Sequence, residues 1–438
     1  MGVCIVPWSV VMVPARALVW VSVCCSSNCN AGIRGAKVLQ HANCSRPKNC
    51  ESSAILVMFP TLIFAPMLMT WGLVLFSLFV AVTLIQIIYY LFIFKPVAAY
   101  QPPATEHSQT HPVSVIICAR DEDENLARNL PGVLVQEYGT THEVIVVNDN
   151  SYDDSRYILS ELKKTFKQLS VIELEQEAKG IPGKKFPLSI GIKEAKHEIV
   201  LLTDADCTPA SEHWMEKMQQ AFTPGVELVL GYGAYHKLPG ILNKIIRWET
   251  FHTAMQYFGF ALAGMPYMGV GRNLSYRKQV FLRNKGFSAI NHIPSGDDDL
   301  FVNRVAGKGN TAIVIDPNAF TLSAPKKTWA DWKKQKSRHF TTAKHYKFSH
   351  RFLLGLYSLT HFLFYILAPL SLIFFDWRWT LIPFVIGLAV KGVVLKKAMK
   401  KLGEADLWKW FPLLDVWMCF YYIIFAPALY RKPSHRWK

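Results

Sequence analysis

The chain has 438 residues, longer than a typical single domain, with 51% hydrophobic and 18% charged residues and a mean hydropathy of +0.17. That balance excludes a purely soluble globular protein and is too polar for a polytopic transporter. The net charge of +16 comes with no nucleic-acid-binding module, so nucleic acid is not an expected partner; basic residues beside membrane segments on the cytoplasmic side account for it.

Six of the nine cysteines (Cys4, Cys24, Cys25, Cys29, Cys44, Cys50) fall within the first fifty residues. Their spacing matches no paired zinc-ligand pattern, and their flanks carry neither helical nor strand periodicity. Met58 directly precedes an apolar run. Residues 1–57 are therefore expected to be a disordered leader or an upstream extension. A signal peptide over the apolar stretch 9–23 is the alternative, although it lacks a basic start.

Residues 58–96 form the expected membrane anchor. Their charge-free core, 71–94, is long enough to cross a hydrocarbon layer as a helix, and Lys95-Pro96 ends it. Pro60 and Pro66 argue against a second clean span over 54–70. Residues 97–111, with Pro102-Pro103, form the expected linker. From residue 112 to 350 the texture alternates: strands over 113–118, 143–147, 171–174 and 198–203, helices beginning in the acidic run 121–124 and over 157–166 and 186–195. This rhythm predicts an α/β domain with a mostly parallel sheet, which binds ligands at the carboxyl ends of its strands. An apolar, aromatic-rich helical segment over 240–262 follows. Residues 264–324 are expected to be irregular, and 326–347 are basic and aromatic. Residues 351–438 form a C-terminal membrane region of two to three helices, over 352–375, 381–395 and 410–430. Asp415 and Pro412 single out the last of these as interfacial or re-entrant, because three full spans would leave the basic tail outside.

Three acidic clusters carry the chemistry. Asp149 follows the second strand, where a carboxylate can accept hydrogen bonds from a base or ribose; an Asx turn is the plainer reading. Asp153 and Asp154 read as helix-capping residues. Asp204 and Asp206 follow the fourth strand, and in an extended chain both carboxylates point to one side. Such hard oxygens suit Mg²⁺ or Mn²⁺, which would neutralise a diphosphate leaving group; a polar turn is the alternative. In Asp297-Asp298-Asp299 one acid can serve as a general base, its pKa raised by like neighbours, or the run can be a solvated loop. Arg338 can contact a phosphate bidentately or anchor the chain beside the membrane.

Taken in order, Cys118-Ala119-Arg120-Asp121-Glu122, Asp149, Asp204-Ala205-Asp206, Gly296-Asp297-Asp298 and Gln335-Lys336-Ser337-Arg338-His339 resemble the signature of the inverting family-two glycosyltransferases. Gly183-Lys184-Lys185 and Gly271-Arg272-Asn273 also look like family segments. The similarity covers roughly residues 112–345. With its flanking spans the chain is similar to the membrane-bound branch, which includes cellulose, hyaluronan and poly-N-acetylglucosamine synthases and ceramide glucosyltransferases. The resemblance implies a Rossmann-like GT-A fold and transfer with inversion from a UDP- or GDP-sugar. The acceptor would be lipid-linked or a glycan, and membrane lipids would surround the protein. It assigns Asp149, Arg120, Asp204, Lys184, Arg338 and Gln335 to the donor, Asp204 and Asp206 to the metal, and Asp298 to the base, with Asp297 second. Two departures stand out: the acid pair is Asp-Asp where the family has Glu-Asp, and His339 replaces a tryptophan at the acceptor end. The implied location is a cell membrane with the catalytic domain cytoplasmic. A metal-dependent nucleotidyl- or phosphotransferase would need a glycine-rich phosphate loop, and none follows the first strand. A catalytically inactive membrane scaffold is the remaining alternative.

Overall fold

The computed structural model describes residues 61–102, 111–176 and 180–430, with side chains from Thr70 onward. The expected leader, residues 103–110 of the expected linker and the tail after Tyr430 lie outside the described residues.

The described chain begins with helix α1 (Thr61–Ile88), a π-helical turn (Tyr89–Phe94) and the short α2 (Lys95–Ala99). Pro66 does not interrupt α1, in keeping with the tolerance of apolar membrane-length helices for proline. The alternating region follows as β1 (Val113–Ala119), α3 (Asp123–Leu134), β2 (His142–Asp149), α4 (Ser155–Thr165), β3 (Leu169–Leu174), α5 (Lys185–Glu194) and β4 (Ile199–Asp204). Next come β5 (Cys207–Pro209), α6 (Trp214–Gln220), β6 (Leu228–Leu230), β7 (Gly233–Tyr235) and α7 (Ile241–Leu262). Residues 264–324, expected to be irregular, instead hold β8 (Leu274–Arg277), α8 (Lys278–Arg283), α9 (Asp299–Val305), β9 (Thr311–Ile313) and β10 (Thr321–Ser323). These elements are three to seven residues long, too short to establish a period in sequence. The chain continues through α10 (Trp329–Phe340), α11 (Phe348–Phe374), α12 (Trp377–Lys401) and α13 (Phe411–Phe425).

The main sheet runs β3-β2-β1-β4-β8-β6-β9. Strands β3, β2, β1 and β4 are parallel, whereas β8 runs antiparallel to both β4 and β6. A smaller sheet joins β5, β10 and β7. Alternation along β1 buries both faces: Val113, Val115 and Ile117 pack with Leu126 and Leu130 of α3, while Ile116 and Cys118 pack with Leu188 and Ile192 of α5. Each such aliphatic side chain stabilises the fold by about 1.5–3 kcal/mol. The α5 side of the core continues through Trp248, Phe251 and Phe258 of α7 to Leu414 and Met418 of α13, so sheet and membrane-region helices share one apolar cluster.

Four described stretches are long and apolar enough to cross a membrane: Thr70–Ala99, Phe348–Phe374, Trp377–Lys401 and Ala405–Tyr430. The last includes Asp415, which the sequence marked as an obstacle. Its carboxylate is buried but accepts from Tyr365 Oη at 2.5 Å and faces Lys391 Nζ at 3.4 Å, so the charge does not meet lipid alone. The chain divides into two compact units. In one, which includes α1 up to Phe79 and Leu367–Leu381, the rings of Phe76 and Phe375 stack at 4.4 Å. The other comprises Val80–Ile366 and the residues from Ile382 on, and it holds both sheets and every acid of the three clusters.

Candidate active site

The parallel strands β1, β2 and β4 end at one edge of the sheet, and the loops leaving β1 and β2 are bonded to each other. Asp121 takes a left-handed conformation (φ 51°) and its N–H donates to Ser151 Oγ at 2.9 Å, while its carboxylate accepts from Tyr152 N–H at 2.8 Å. Asp153 accepts the Asp123 N–H at 2.9 Å. The acidic run therefore opens as loop, and α3 starts only at Asp123. Asp149 closes β2 with 5% of its surface exposed; Arg120 Nη1 lies 4.0 Å from its Oδ2, and Asn150 donates to its Oδ1 at 2.9 Å.

Asp204 closes β4 and Asp206 follows in the turn to β5. Oxygens of both carboxylates and the sulfur of Cys207 lie within 4.8 Å of one another. The Cys207 thiol meets Ser323 Oγ at 2.9 Å, and burial raises its pKa well above the usual thiol range, so it stays a neutral and poor partner for a hard cation. The two carboxylates are the fitting ligands for Mg²⁺ or Mn²⁺. Enclosure, then the charge on Asp204, pushes the Asp206 carboxyl above its usual range; a cation would relieve this. Enclosure also acts on Asp204, but Lys184, Arg272 and Arg338 outweigh it and hold that carboxyl low.

Lys184 joins two clusters that are distant in sequence. Its Nζ donates to Asp204 Oδ1 at 2.8 Å and lies 3.2 Å from Asp297 Oδ2. Burial disfavours its charge, but Asp204, Asp297 and Asp298 more than compensate, so the ammonium persists well above its usual pKa. Gly183, at φ 74°, makes the turn that delivers it; a Cβ there would stand 2.5 Å from the Pro294 carbonyl oxygen. Lys185, the next residue, donates to the carbonyls of Ile293 (2.5 Å) and Ser295 (2.8 Å) and so fixes the loop that carries the acid run.

The three acids of that run have different surroundings. Asp298 is the N-cap of α9: its Oδ1 accepts from Asp299 N–H at 2.7 Å and its Oδ2 from Gly271 N–H at 2.8 Å. Burial, then Asp297 and Asp299, raise it to about 7. Asp299 accepts from Tyr346 Oη at 2.7 Å and from Thr342 Oγ1, and burial pushes its carboxyl up as well. Asp297 is 7% exposed, and its Oδ2 makes no hydrogen bond beyond its ion pair with Lys184.

Arg272 was visible in sequence only within Gly271-Arg272-Asn273, with no role attached. Its guanidinium lies over the Tyr235 ring at 4.5 Å, donates to Gly233 O at 2.9 Å and Ser323 Oγ at 3.2 Å, and adds positive potential at Asp204 and Asp206. Gln335 and Arg338 stand one turn apart on α10. His339 keeps an exposed surface, yet crowding by the surrounding protein, then Lys336, Arg338, Arg272 and Lys184, hold its imidazole well below its usual range. Trp332 of α10 packs edge-on to Phe425 at 5.3 Å, and Lys336 pairs with the buried Glu249 of α7. Sequence gave no sign of that pair, whose members are remote along the chain.

Comparison with known proteins bears on these residues. The model described as Glycosyl transferase family 2 matches residues 114–270, and that described as Glycosyl transferase family group 2 matches residues 199–429. The chain is 32% identical over 162 residues to the poly-beta-1,6-N-acetyl-D-glucosamine synthase of Staphylococcus epidermidis, covering 36% of this chain and 37% of that protein. It is 27% identical over 203 residues to glycosyltransferase AglE of Haloferax volcanii, covering 45% of this chain and 62% of that one. In each case the match spans less than two thirds of the relative. Among solved structures, the mannosyltransferase PcManGT from Pyrobaculum calidifontis, in complex with GDP-Man and Mn²⁺, superimposes with a TM-score of 0.53 at 18% identity, over 84% of this chain and 100% of that one. That likeness is one of fold.

Proposed function

The chain belongs to glycosyl transferase family group 2, and on that premise we propose that it is a membrane-embedded, inverting glycosyltransferase moving a sugar from a nucleoside-diphosphate donor to a lipid-linked or glycan acceptor. The observation that carries this reading is the meeting of the Asp204–Asp206 pair with Asp297 through one ammonium, Lys184. Asp149 and Arg120 end at the same sheet edge.

In this reading Asp149, backed by Arg120, accepts hydrogen bonds from the nucleoside. Asp204 and Asp206 would hold Mg²⁺ or Mn²⁺; the Mn²⁺ in the PcManGT complex supports a divalent ion. Bound there, the ion supplies charge neutralisation for the leaving diphosphate. Lys184, Arg338 and Gln335 line the phosphate side with cationic and amide donors.

Asp297 serves as the general base in preference to Asp298. The pKa of about 7 favours Asp298, but both of its oxygens already accept backbone N–H groups. Geometry takes precedence over pKa in choosing a base. The acceptor hydroxyl gives its proton to Asp297 as its oxygen attacks the anomeric carbon. The bond from that carbon to the diphosphate oxygen breaks on the opposite face, and the nucleoside diphosphate departs with the electron pair. The lysines of Lys396-Lys397 and Lys400-Lys401, with the basic stretch 326–347, support a cell-membrane protein whose catalytic face is turned to the cytoplasm, the compartment in which nucleotide sugars are made.

The test is nucleotide release and sugar transfer by detergent-purified protein over a panel of UDP- and GDP-sugars, with and without Mn²⁺ or Mg²⁺, beside Asp206→Asn and Asp297→Asn. Metal-dependent release of one nucleotide, lost in both variants, is expected. Folded protein that binds and releases no donor would overturn the reading.

A further inference from the structure

Outside the cleft, an open-mouthed cavity in the second unit lies where α2 and α12 come down to the sheet. It is a cavity of about 490 Å³ with Ala98 and Ile315 on its apolar wall and Lys397, Lys400 and Lys401 of the last turn of α12 around it. Asp316 also lines it, but that carboxylate is turned into its own loop, where it accepts the Asn318 N–H at 2.9 Å. Among the described residues, no carboxylate lies within ion-pair distance of the three lysines. Three lysines thus line a cavity whose one carboxylate is committed elsewhere.

The cavity has fixed walls. Tyr100 Oη donates to the Ile313 carbonyl at 2.8 Å, tying the chain after α2 to β9. Glu404, just beyond α12, accepts from the buried Arg247 Nε of α7 at 2.8 Å. Lysines in a final helical turn also complement the negative end of the helix dipole. That preference accounts for basic residues there, but not for a cavity beside an apolar wall. Ala99 and Lys401 are the terminal residues of two helices long and apolar enough to cross a membrane, and a bilayer around those helices would set its head groups beside the cavity.

We propose that this cavity seats the phosphate-bearing head group of an anionic bilayer lipid, with Lys397, Lys400 and Lys401 on the phosphate and the first methylenes against Ala98 and Ile315. Clusters of lysine immediately beyond a membrane helix attract such lipids. The occupied cavity braces the loop that runs from Ile315 into β10, and Ser323 of β10 contacts Arg272 and Cys207 in the cleft. This goes beyond the glycosyltransferase reading and does not depend on it.

The test is lipid binding by the full-length protein in neutral detergent, read by native mass spectrometry with phosphatidylglycerol or phosphatidylcholine added. Wild-type protein should prefer phosphatidylglycerol by on the order of a hundredfold, the contribution of three lysines. The variant K397Q/K400Q/K401Q should lose that preference, K397R/K400R/K401R should keep it, and K163Q/K164Q/K167Q, on the end of α4 and the turn that follows it, should not change it. An unchanged preference in the glutamine variant, or equal loss in the α4 control, would overturn the site. Inorganic phosphate or glycerol phosphate binding as tightly as phosphatidylglycerol would overturn the lipid as its occupant. Hydrogen exchange on the wild-type chain needs no variant: phosphatidylglycerol should slow exchange over 98–102 and 397–403, and slowing elsewhere alone would sink the proposal.

Discussion

Replacing Asp297 and Asp298 separately by asparagine tests the proposed roles, because the two neighbours have different partners. Asp298 accepts two backbone N–H groups, from Asp299 at 2.7 Å and Gly271 at 2.8 Å. Asparagine keeps one acceptor oxygen and caps a helix about as well as aspartate, so α9 should persist. The other N–H loses its partner, which costs about 1–3 kcal/mol. Asp298→Asn should therefore melt earlier and keep its turnover to within about tenfold. Asp297 has an Oδ2 with no hydrogen bond and sits beside the ammonium that also holds Asp204. Losing a general base lowers turnover by roughly 10²–10⁴-fold, about 3–5 kcal/mol of barrier; because Lys184 keeps Asp204 as its partner at 2.8 Å, melting should fall no further than in Asp298→Asn. The assay pairs single-turnover transfer with thermal unfolding of the same preparations. Asp298→Asn that folds and melts like wild type yet is dead, beside an active Asp297→Asn, would refute the assignment.

Three further outcomes follow from the same geometry. Burial, then Asp297 and Asp299, raise the Asp298 carboxyl to about 7, above its unfolded value, so its stabilising contribution is complete below about pH 4 and is lost as pH rises through about 7. In metal-free buffer, the stability difference between wild type and Asp298→Asn should shrink across that window, and a pH-independent difference would contradict it. Mn²⁺ at about 100 times its Kd should stabilise the protein by about 2.7 kcal/mol in thermal unfolding, an effect that Asp206→Ala should abolish; equal stabilisation of the variant would place the ion elsewhere. Lys336→Met should destabilise by about 3–5 kcal/mol, since it strands the buried Glu249, whereas the double variant E249L/K336M should recover most of the loss. Chemical denaturation that finds the double variant as unstable as the single would show that the carboxylate is not the cause.

Strands β1, β2 and β4 were legible in sequence because they are buried on both faces and read as unbroken apolar runs. The carboxylates at their ends were legible because a parallel sheet presents its ligands there. The antiparallel β8 was not: four residues between β4 and β6 acquire their conformation from those neighbours. The different surroundings within Asp297-Asp298-Asp299 were equally hidden. Three identical residues are sorted only by partners 27, 43 and 47 positions away, Gly271 for Asp298 and Thr342 and Tyr346 for Asp299. The surroundings of Asp415 were hidden for the same reason, because Lys391 and Tyr365, which meet its carboxylate, lie on other helices.

The adjacent lysines at the start of α5, Lys184 as its N-cap and Lys185 as its first residue, bear on the order in which the site is made. Lys185 waits for the Ser295 carbonyl, 110 residues further along, and Lys184 waits for Asp297 just beyond it. At ribosomal speed that interval is on the order of ten seconds. Throughout it the nascent chain carries the two acids suited to a divalent ion, but neither Asp297 nor the loop that Lys185 fixes. The newborn chain therefore carries the Asp204–Asp206 pair before it carries the run that Lys184 and Lys185 hold, and those two contacts form only once that run has been made.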